Sequence, residues 1–248
     1  MRETRILMGM PVIVEVVDAN VTQQNINAIY DYFTYVDSTF STYKEDSEIS
    51  RINRDELTLA EASEDMRTIF GLAEQTRLET EGYFNITHKG VTDPSGIVKG
   101  WAIQNAAGIL HTMGFKNYYV DAGGDIQAAG SSPEGRSWRV GIQNPFNLME
   151  IVKVVSIGSG AIATSGTYVR GQHIYDPINN TPSLDTVVSI TVVGPNIYDA
   201  DRYATAAFAM GEQGIYFIER LPGYEGYMID KTGRATLTSG FEEYVIHD

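Results

Sequence analysis

The chain has 248 residues, 43% of them hydrophobic and 20% charged, so it can bury a sizeable core and is not disordered as a whole. Eighteen Lys and Arg against 32 Asp and Glu leave a net charge of −14. That balance argues against a nucleic-acid partner, because each phosphate contact needs a cation on the protein. The lack of Cys excludes disulfides, thiolate metal sites, iron–sulfur clusters and a Cys nucleophile.

The length is read as one domain over 1–248, divisible at most into lobes of about 1–115 and 116–248. The N-terminal apolar run is broken by Arg2, Glu3 and Arg5 and does not read as a signal peptide. No apolar stretch reaches the roughly 18–20 residues of a membrane span, so no transmembrane segment is expected. The expected location is cytoplasmic, or periplasmic or membrane-anchored if a targeting segment has been removed.

Pro11 to Val17 reads as a strand, rich in Val and Ile. Ile26, Ile29, Phe33, Val36 and Phe40 recur at spacings of three and four, which predicts a helix with one buried face. Ile49 and Ile52 suggest a short helical turn. A second helix is expected from the N-cap Ser63, with Glu64 and Asp65 in its first turn, through Met66, Ile69, Phe70 and Ala73 to a stop at Gly82. A third is expected from Gly100, burying Ile103, Ala106, Ala107, Leu110 and Met113 before Gly114.

The second half is read mostly as strands: Tyr118 to Asp121, Trp138 to Ile142, Ile151 to Ile157 and Val187 to Val193. Asp199 to Met210 and Gln213 to Leu221 read as helices, and Gly226 to Val245 as a hairpin turning at Lys231-Thr232-Gly233. Strands and helices do not alternate regularly. An α+β fold with a largely antiparallel sheet is therefore expected, with a ligand cleft among the loops.

Four glycine-bearing segments stand out. Asp93 to Gly100 would place Lys99 and backbone amides at a helix start, a suitable anion site, although an ordinary loop with a solvated Lys has the same composition. Gly123-Gly124, followed by Asp125, allows close backbone approach to a ligand, and equally serves any tight turn. Gly158 to Tyr168, with Thr164 and Ser165, is read as a third loop leading into His173 to Pro177. His173 is a natural proton acceptor near neutral pH, or simply a satisfied polar residue. On a helix, Asp201 and Thr205 would share one face a turn apart, a hard-oxygen pair suited to Mg²⁺, or else a dipole-favoured Asp and a back-bonded Thr.

Taken in order, these segments resemble the FAD:protein FMN transferase family, also called ApbE or the thiamin-biosynthesis lipoprotein family. The matching pieces are Met8-Gly9; Phe40-Ser41 with Tyr43; Ser47-Glu48-Ile49 with Asn53; and Gly82 to Thr87. They continue with Gly96 to Gly100; Gly123 to Ile126; Trp138 to Gly141; Ala163 to Gly166 with Tyr168; His173 to Pro177; and Asp201 with Ala204-Thr205. The resemblance implies an ApbE-like, T-fold-like architecture and a Mg²⁺-dependent flavinyltransferase. Such an enzyme splits FAD, its substrate, and joins FMN through its phosphate to a Thr or Ser of an acceptor flavoprotein, releasing AMP.

By that resemblance Asp201 and Thr205 would bind Mg²⁺, with the backbone carbonyl of Val98 as a third ligand. His173 would be the base on the acceptor hydroxyl, and Asp201 part of the catalytic set. Met8 and Tyr43 would sandwich the isoalloxazine ring. Ser47, Glu48, Asn53, Lys99, Gly123, Gly124, Asp125, Thr164 and Ser165 would line the nucleotide site. The segment between Thr87 and Gly96 is shorter than in longer members and Val98 replaces the usual Ala; no lipoprotein signal is expected in the sequence as it stands. Two alternatives stand beside the transferase: an FAD pyrophosphatase releasing FMN and AMP, in which water takes the acceptor's place at the same site, and, from the altered loop before Gly96 and the missing segment, a non-catalytic FAD-binding protein.

Overall fold

The computed structural model describes residues 1–166 and 186–247, together with the backbone of 175–176 and 181–182. Its frame is an eight-stranded sheet in the order β1-β2-β5-β6-β9-β12-β13-β14, with every neighbouring pair antiparallel. These strands are β1 (Arg2–Leu7), β2 (Met10–Val16), β5 (Tyr118–Ala122), β6 (Asp125–Ala129), β9 (Ala161–Gly166), β12 (Val187–Gly194), β13 (Glu225–Asp230) and β14 (Ala235–Leu237); β3 (Thr87–His88) with β4 (Val91–Thr92), and β10 (Tyr175–Asp176) with β11 (Thr181–Pro182), form separate two-residue ladders. The α+β, largely antiparallel architecture is as expected. The sheet draws on both 2–16 and 118–237, so it crosses the chain position near residue 115.

One face of the sheet is covered by helices. These are α1 (Gln23–Phe40), α2 (Glu48–Asn53), α3 (Glu64–Glu79), α4 (Ser95–Thr112), α5 (Ile197–Ala209) and α6 (Gly214–Glu219). The period-two pattern of β2 points Val12, Val14 and Val16 into this layer, where they meet Ile26, Ile29 and Phe33 of α1 and Ile103, Ala106 and Leu110 of α4. The other face carries a smaller core. There β7 (Arg139–Asn144) and β8 (Asn147–Ser156) form a separate ribbon. Trp138, Val155, Ile162, Val193, Tyr227 and Phe241 pack in this second core.

The N-terminal signals of the sequence hold well. Ser63 caps α3 with its side chain, and α2 forms at Ile49 and Ile52; Thr22, not singled out in the sequence, caps α1 in the same way. Three expectations are corrected. The helix expected from Gly100 begins at Ser95, and Met113 caps its far end 37% exposed rather than buried. Ala161–Gly166, read as part of a loop, is a central strand, because its small residues let helices and a second core approach from both sides. The edge strand β1 and the strand β6 have no separate signal in the sequence and form by pairing across two-residue turns.

Candidate active site

One end of the sheet gathers the unusual sequence. Met8-Gly9 joins β1 to β2 with φ of 53° and 72°, and Gly123-Gly124 joins β5 to β6 with φ of 66° and 98°. Two positive φ values in a two-residue hairpin are the type I′ geometry, which matches strand twist and favours Gly. The Gly123 amide donates to the Pro11 carbonyl at 3.0 Å, so the two turns sit side by side. At this same end β9 stops at Gly166 and β12 starts at Val187.

Helices α4 and α5 bring the charged groups there. They lie close because α4 has Gly at 96 and 100, one turn apart. A Cβ on Gly100 would stand 2.8 Å from both the Asp201 Cβ and the Ile197 carbonyl oxygen, and one on Gly96 would stand 3.5 Å from the Thr205 methyl. Gly96 thus faces Thr205 and Gly100 faces Asp201. The two i, i+4 pairs run antiparallel along a seam, with the Phe84 ring also 3.4 Å from a Cβ placed on Gly96. The Gly100 amide donates to Asp201 Oδ2 at 2.8 Å.

The ammonium of Lys99 contacts Asp125 Oδ2 and lies 3.4 Å from Asp201 Oδ1. The Thr164 amide donates to Asp125 Oδ1 at 2.9 Å. Both carboxylates are 2% exposed. Two buried acids against one ammonium leave a cluster with an excess negative charge when ionised, a costly arrangement without a further cation. Burial pushes the Asp201 carboxyl well above the usual range; the neighbouring Asp125 adds to the rise, and Lys99 and the Gly100 amide oppose it.

The oxygens near Asp201 are hard donors. Ser165 Oγ lies 3.4 Å from Thr205 Oγ1, which is one turn beyond Asp201 on α5. No cluster of three His, Cys, Asp or Glu side chains with metal-holding geometry occurs among the described residues. A carboxylate and hydroxyls suit Mg²⁺, which takes few protein ligands and completes its shell with phosphate oxygens and water. Val98 is buried in the first turn of α4, two residues from Gly96 and Gly100. Its carbonyl belongs to the helical stack and has a second lone pair to offer.

The remaining predicted residues divide by what they hold. Met8 is half-buried against the main core, and the Tyr43 ring is 98% exposed. Ser47 is buried and caps α2, accepting the Ser50 amide at 3.1 Å. Glu48 accepts the Ser63 amide and hydroxyl at 3.1 and 2.8 Å, and so secures the start of α3. The Asn53 amide grips the Thr92 backbone twice, donating to its carbonyl and accepting its N–H, both at 2.8 Å, just before α4. In β9, Ser165 faces α5, while the neighbouring Thr164 turns its hydroxyl to Thr191 at 2.8 Å and offers the site its amide. His173 lies outside the described residues.

The expected anion site at Gly100 is corrected by the same geometry. Gly100 lies inside α4, its amide is taken by Asp201, and Lys99 projects from the second turn toward two acids. Sequence reading also passed over the Gly96/Gly100 pair and Asp121. The Gly-x-x-x-Gly spacing opposite Asp-x-x-x-Thr is the signal that would have found the seam. Asp121 accepts the Gly124 amide at 2.8 Å and stiffens the second turn. Burial raises its carboxyl to about 6, with the nearby Asp125 adding to the rise.

Comparison with known proteins bears on the family and the fold. The ApbE family model matches residues 8–94 and 90–229. A FAD:protein FMN transferase of Vibrio cholerae is 35% identical over 161 residues, covering 61% of this chain and 47% of the relative. One of Haemophilus influenzae is 26% identical over 283 residues, covering 88% and 80%. The chain spans about half the length of several curated relatives it matches. Among solved structures, the flavin transferase ApbE of Vibrio cholerae superposes with a TM-score of 0.86 at 25% identity, covering 98% of each chain. The ApbE protein of Thermotoga maritima gives 0.86 at 21%, covering 100% of this chain and 99% of its own, a likeness of fold.

Proposed function

This chain belongs to the ApbE family, and from that premise and the geometry of the α4–α5 seam we propose that it is a Mg²⁺-dependent FAD:protein FMN transferase. The observation that carries the reading is the buried Lys99–Asp125–Asp201 cluster, with Thr205 and Ser165 beside it, at the sheet end where the two glycine turns meet. Two acids already outnumber Lys99, so a −14 chain would hold a dinucleotide diphosphate here through a divalent cation seated beside them. The backbone around Gly123 and Gly124 allows close approach.

The reaction exchanges a phosphoanhydride bond for a phosphoester. The hydroxyl oxygen of an acceptor Thr or Ser bonds to the FMN-side phosphorus, the bond from that phosphorus to the bridging oxygen breaks, and AMP departs with that oxygen. The hydroxyl proton passes to the His173 imidazole. A Mg²⁺ ion held by Asp201 and Thr205 would neutralise the pyrophosphate oxygens as charge gathers on them. Asp125 holds Lys99 in place from below and is itself fixed by the Thr164 amide. Tyr43 presents an open aromatic face suited to one side of a flavin ring, with Met8 on the turn nearest β2 for the other.

The test incubates the protein with FAD, MgCl₂ and Thr/Ser-bearing acceptor proteins, and reads intact mass and nucleotide products together. Transfer gives acceptor carrying one FMN and an equal amount of AMP. Free FMN and AMP with every acceptor left unmodified would establish a pyrophosphatase instead. FAD that stays bound and intact would establish a binding protein.

A further inference from the structure

Beside the seam lies a second polar network that the proposed chemistry does not use. Arg202 follows Asp201 directly, yet it is only 5% exposed. Its guanidinium pairs with Asp199 at 2.6 Å and with Glu79 of α3, and donates to Thr76 Oγ1 at 3.3 Å and to the Tyr203 hydroxyl at 2.8 Å. It also lies 4.2 Å from the Tyr203 ring centre and 5.1 Å from that of Tyr198. Asp199 is secured in turn by the Asn196 amide at 2.8 Å and the Tyr224 hydroxyl at 2.9 Å. The planar guanidinium fork suits such simultaneous pairing, whereas an ammonium is a single point charge.

The position of this network on the helix gives it a consequence for the site. In an α-helix Arg202 lies about 100° around the axis from Asp201, and Thr205 about 40°, so the clamp sits about 60° beyond Thr205. The glycine seam fixes how close α5 comes to α4, and the Gly100 and Lys99 contacts to Asp201 hold one face of α5 there. Arg202 adds a second point of resistance to rolling by tying the next face of α5 to α3. We propose that Arg202 is a positioning residue: by clamping α5 to Glu79 and Thr76 of α3 it sets the rotation of the helix that aims Asp201 and Thr205 at the α4 seam. The inference rests on the reading of Asp201 and Thr205 as the oxygen pair of the site, but its geometric part stands apart from turnover.

The test uses Arg202→Gln, with Glu79→Gln as a milder variant if the first folds poorly and Arg202→Lys as the conservative one. The geometric readout is the amide resonance of Gly100, which reports its hydrogen bond to Asp201 and is identified by its shift in Asp201→Asn. In Arg202→Gln that resonance moves toward its Asp201→Asn position, and Arg202→Lys falls between. Affinity for Mn²⁺, a paramagnetic stand-in for Mg²⁺, falls about tenfold or more, as is usual when a partner behind a metal ligand is lost. With FAD and acceptor, kcat falls while KM for FAD changes less than about threefold. A Gly100 resonance that stays at its wild-type position, with only the melting temperature lowered, would overturn the proposal whether or not the wild-type chain transfers FMN. A shifted resonance with unchanged Mn²⁺ affinity in a wild-type chain that does bind Mn²⁺ would overturn it as well.

Discussion

The two faces of the sheet are built on opposite rules. On the ribbon face the second core is made of apolar and aromatic side chains: Trp138 meets Tyr119 edge-on at 5.0 Å, and Tyr227 stacks on Phe241 at 5.4 Å. On the helix face the core is interrupted near the chain turns by buried Asp125, Asp201 and Arg202. Apolar packing stabilises in proportion to the area it removes from water, whereas buried charges cost solvation that their partners only partly return. A protein that keeps such groups where hydrophobic ones would fit has another use for them. Perturbation of the two faces should therefore have opposite consequences, stability on one side and chemistry on the other.

The largest separation is expected at Asp201. Its replacement by Asn keeps the shape and removes a carboxylate that burial already disfavours, so the fold should be as stable as before or more so. FMN transfer should fall by about 10³-fold or more, the scale of losing several kcal/mol of charge stabilisation. Urea unfolding beside a flavin-transfer assay checks both halves. An Asp201→Asn protein that is active but unstable would reverse the contrast. Phe241→Ala is the mirror experiment. It should lower stability by about 3–5 kcal/mol, because it empties a fully buried aromatic site, while the kcat of the surviving folded protein stays within about threefold.

Gly100→Ala sharpens the contrast by disturbing the seam without removing a charge. The added methyl would meet the Asp201 Cβ and the Ile197 carbonyl oxygen at 2.8 Å, and neither a Cβ nor a backbone oxygen can swing aside. Overpacking of this kind costs about 1–3 kcal/mol and pushes α5 away from α4. Stability and transfer should fall together, as seen by thermal melting and the same assay. Loss of stability alone would mean that the spacing of the helices is not what sets the site.

Much of this was legible because local signals agree with global ones. The 3.6-residue periodicity of Ile26 to Phe40 predicts α1, and the cap at Ser63 predicts the start of α3, each close to where it is observed. Asp201 and Thr205 could be placed on one helical face for the same reason. The start of α4 was hidden, because Asp93-Pro94-Ser95-Gly96 has turn composition, yet the Asp93 side chain accepts the Ser95 amide at 2.9 Å and launches the helix there. The strand β9 was hidden because Ala161-Ile162-Ala163-Thr164-Ser165-Gly166 lacks β-branched bulk, which a central strand packed on both faces does not need. Asn53 and Glu48 show the limit of motif order. It drew them to the site, and only three-dimensional structure shows the hydrogen bonds by which they hold Thr92 and Ser63.

The smallest expected effect comes from Asp121, which sits across the glycine turn from Asp125. Burial holds its carboxyl at about 6, whereas in the unfolded chain it titrates at the ordinary value of about 4. Between those values the folded chain keeps a proton that the unfolded chain has released. Its contribution to stability is therefore intact at low pH, is lost as pH rises through this window, and is fully lost above about 6. Asn at this position keeps an oxygen for the Gly124 amide and never ionises. Asp121→Asn should be more stable than the parent by about 1–2 kcal/mol at pH 8, less than the full shift because the side chain retains some solvent contact. The gain should shrink steadily as pH is lowered toward 4.5, which urea unfolding at several pH values would follow. A gain independent of pH would trace to packing instead of charge. A loss at pH 8 would mean that the carboxylate is needed ionised, and would move Asp121 from the turn's scaffold into the charged cluster on the other face.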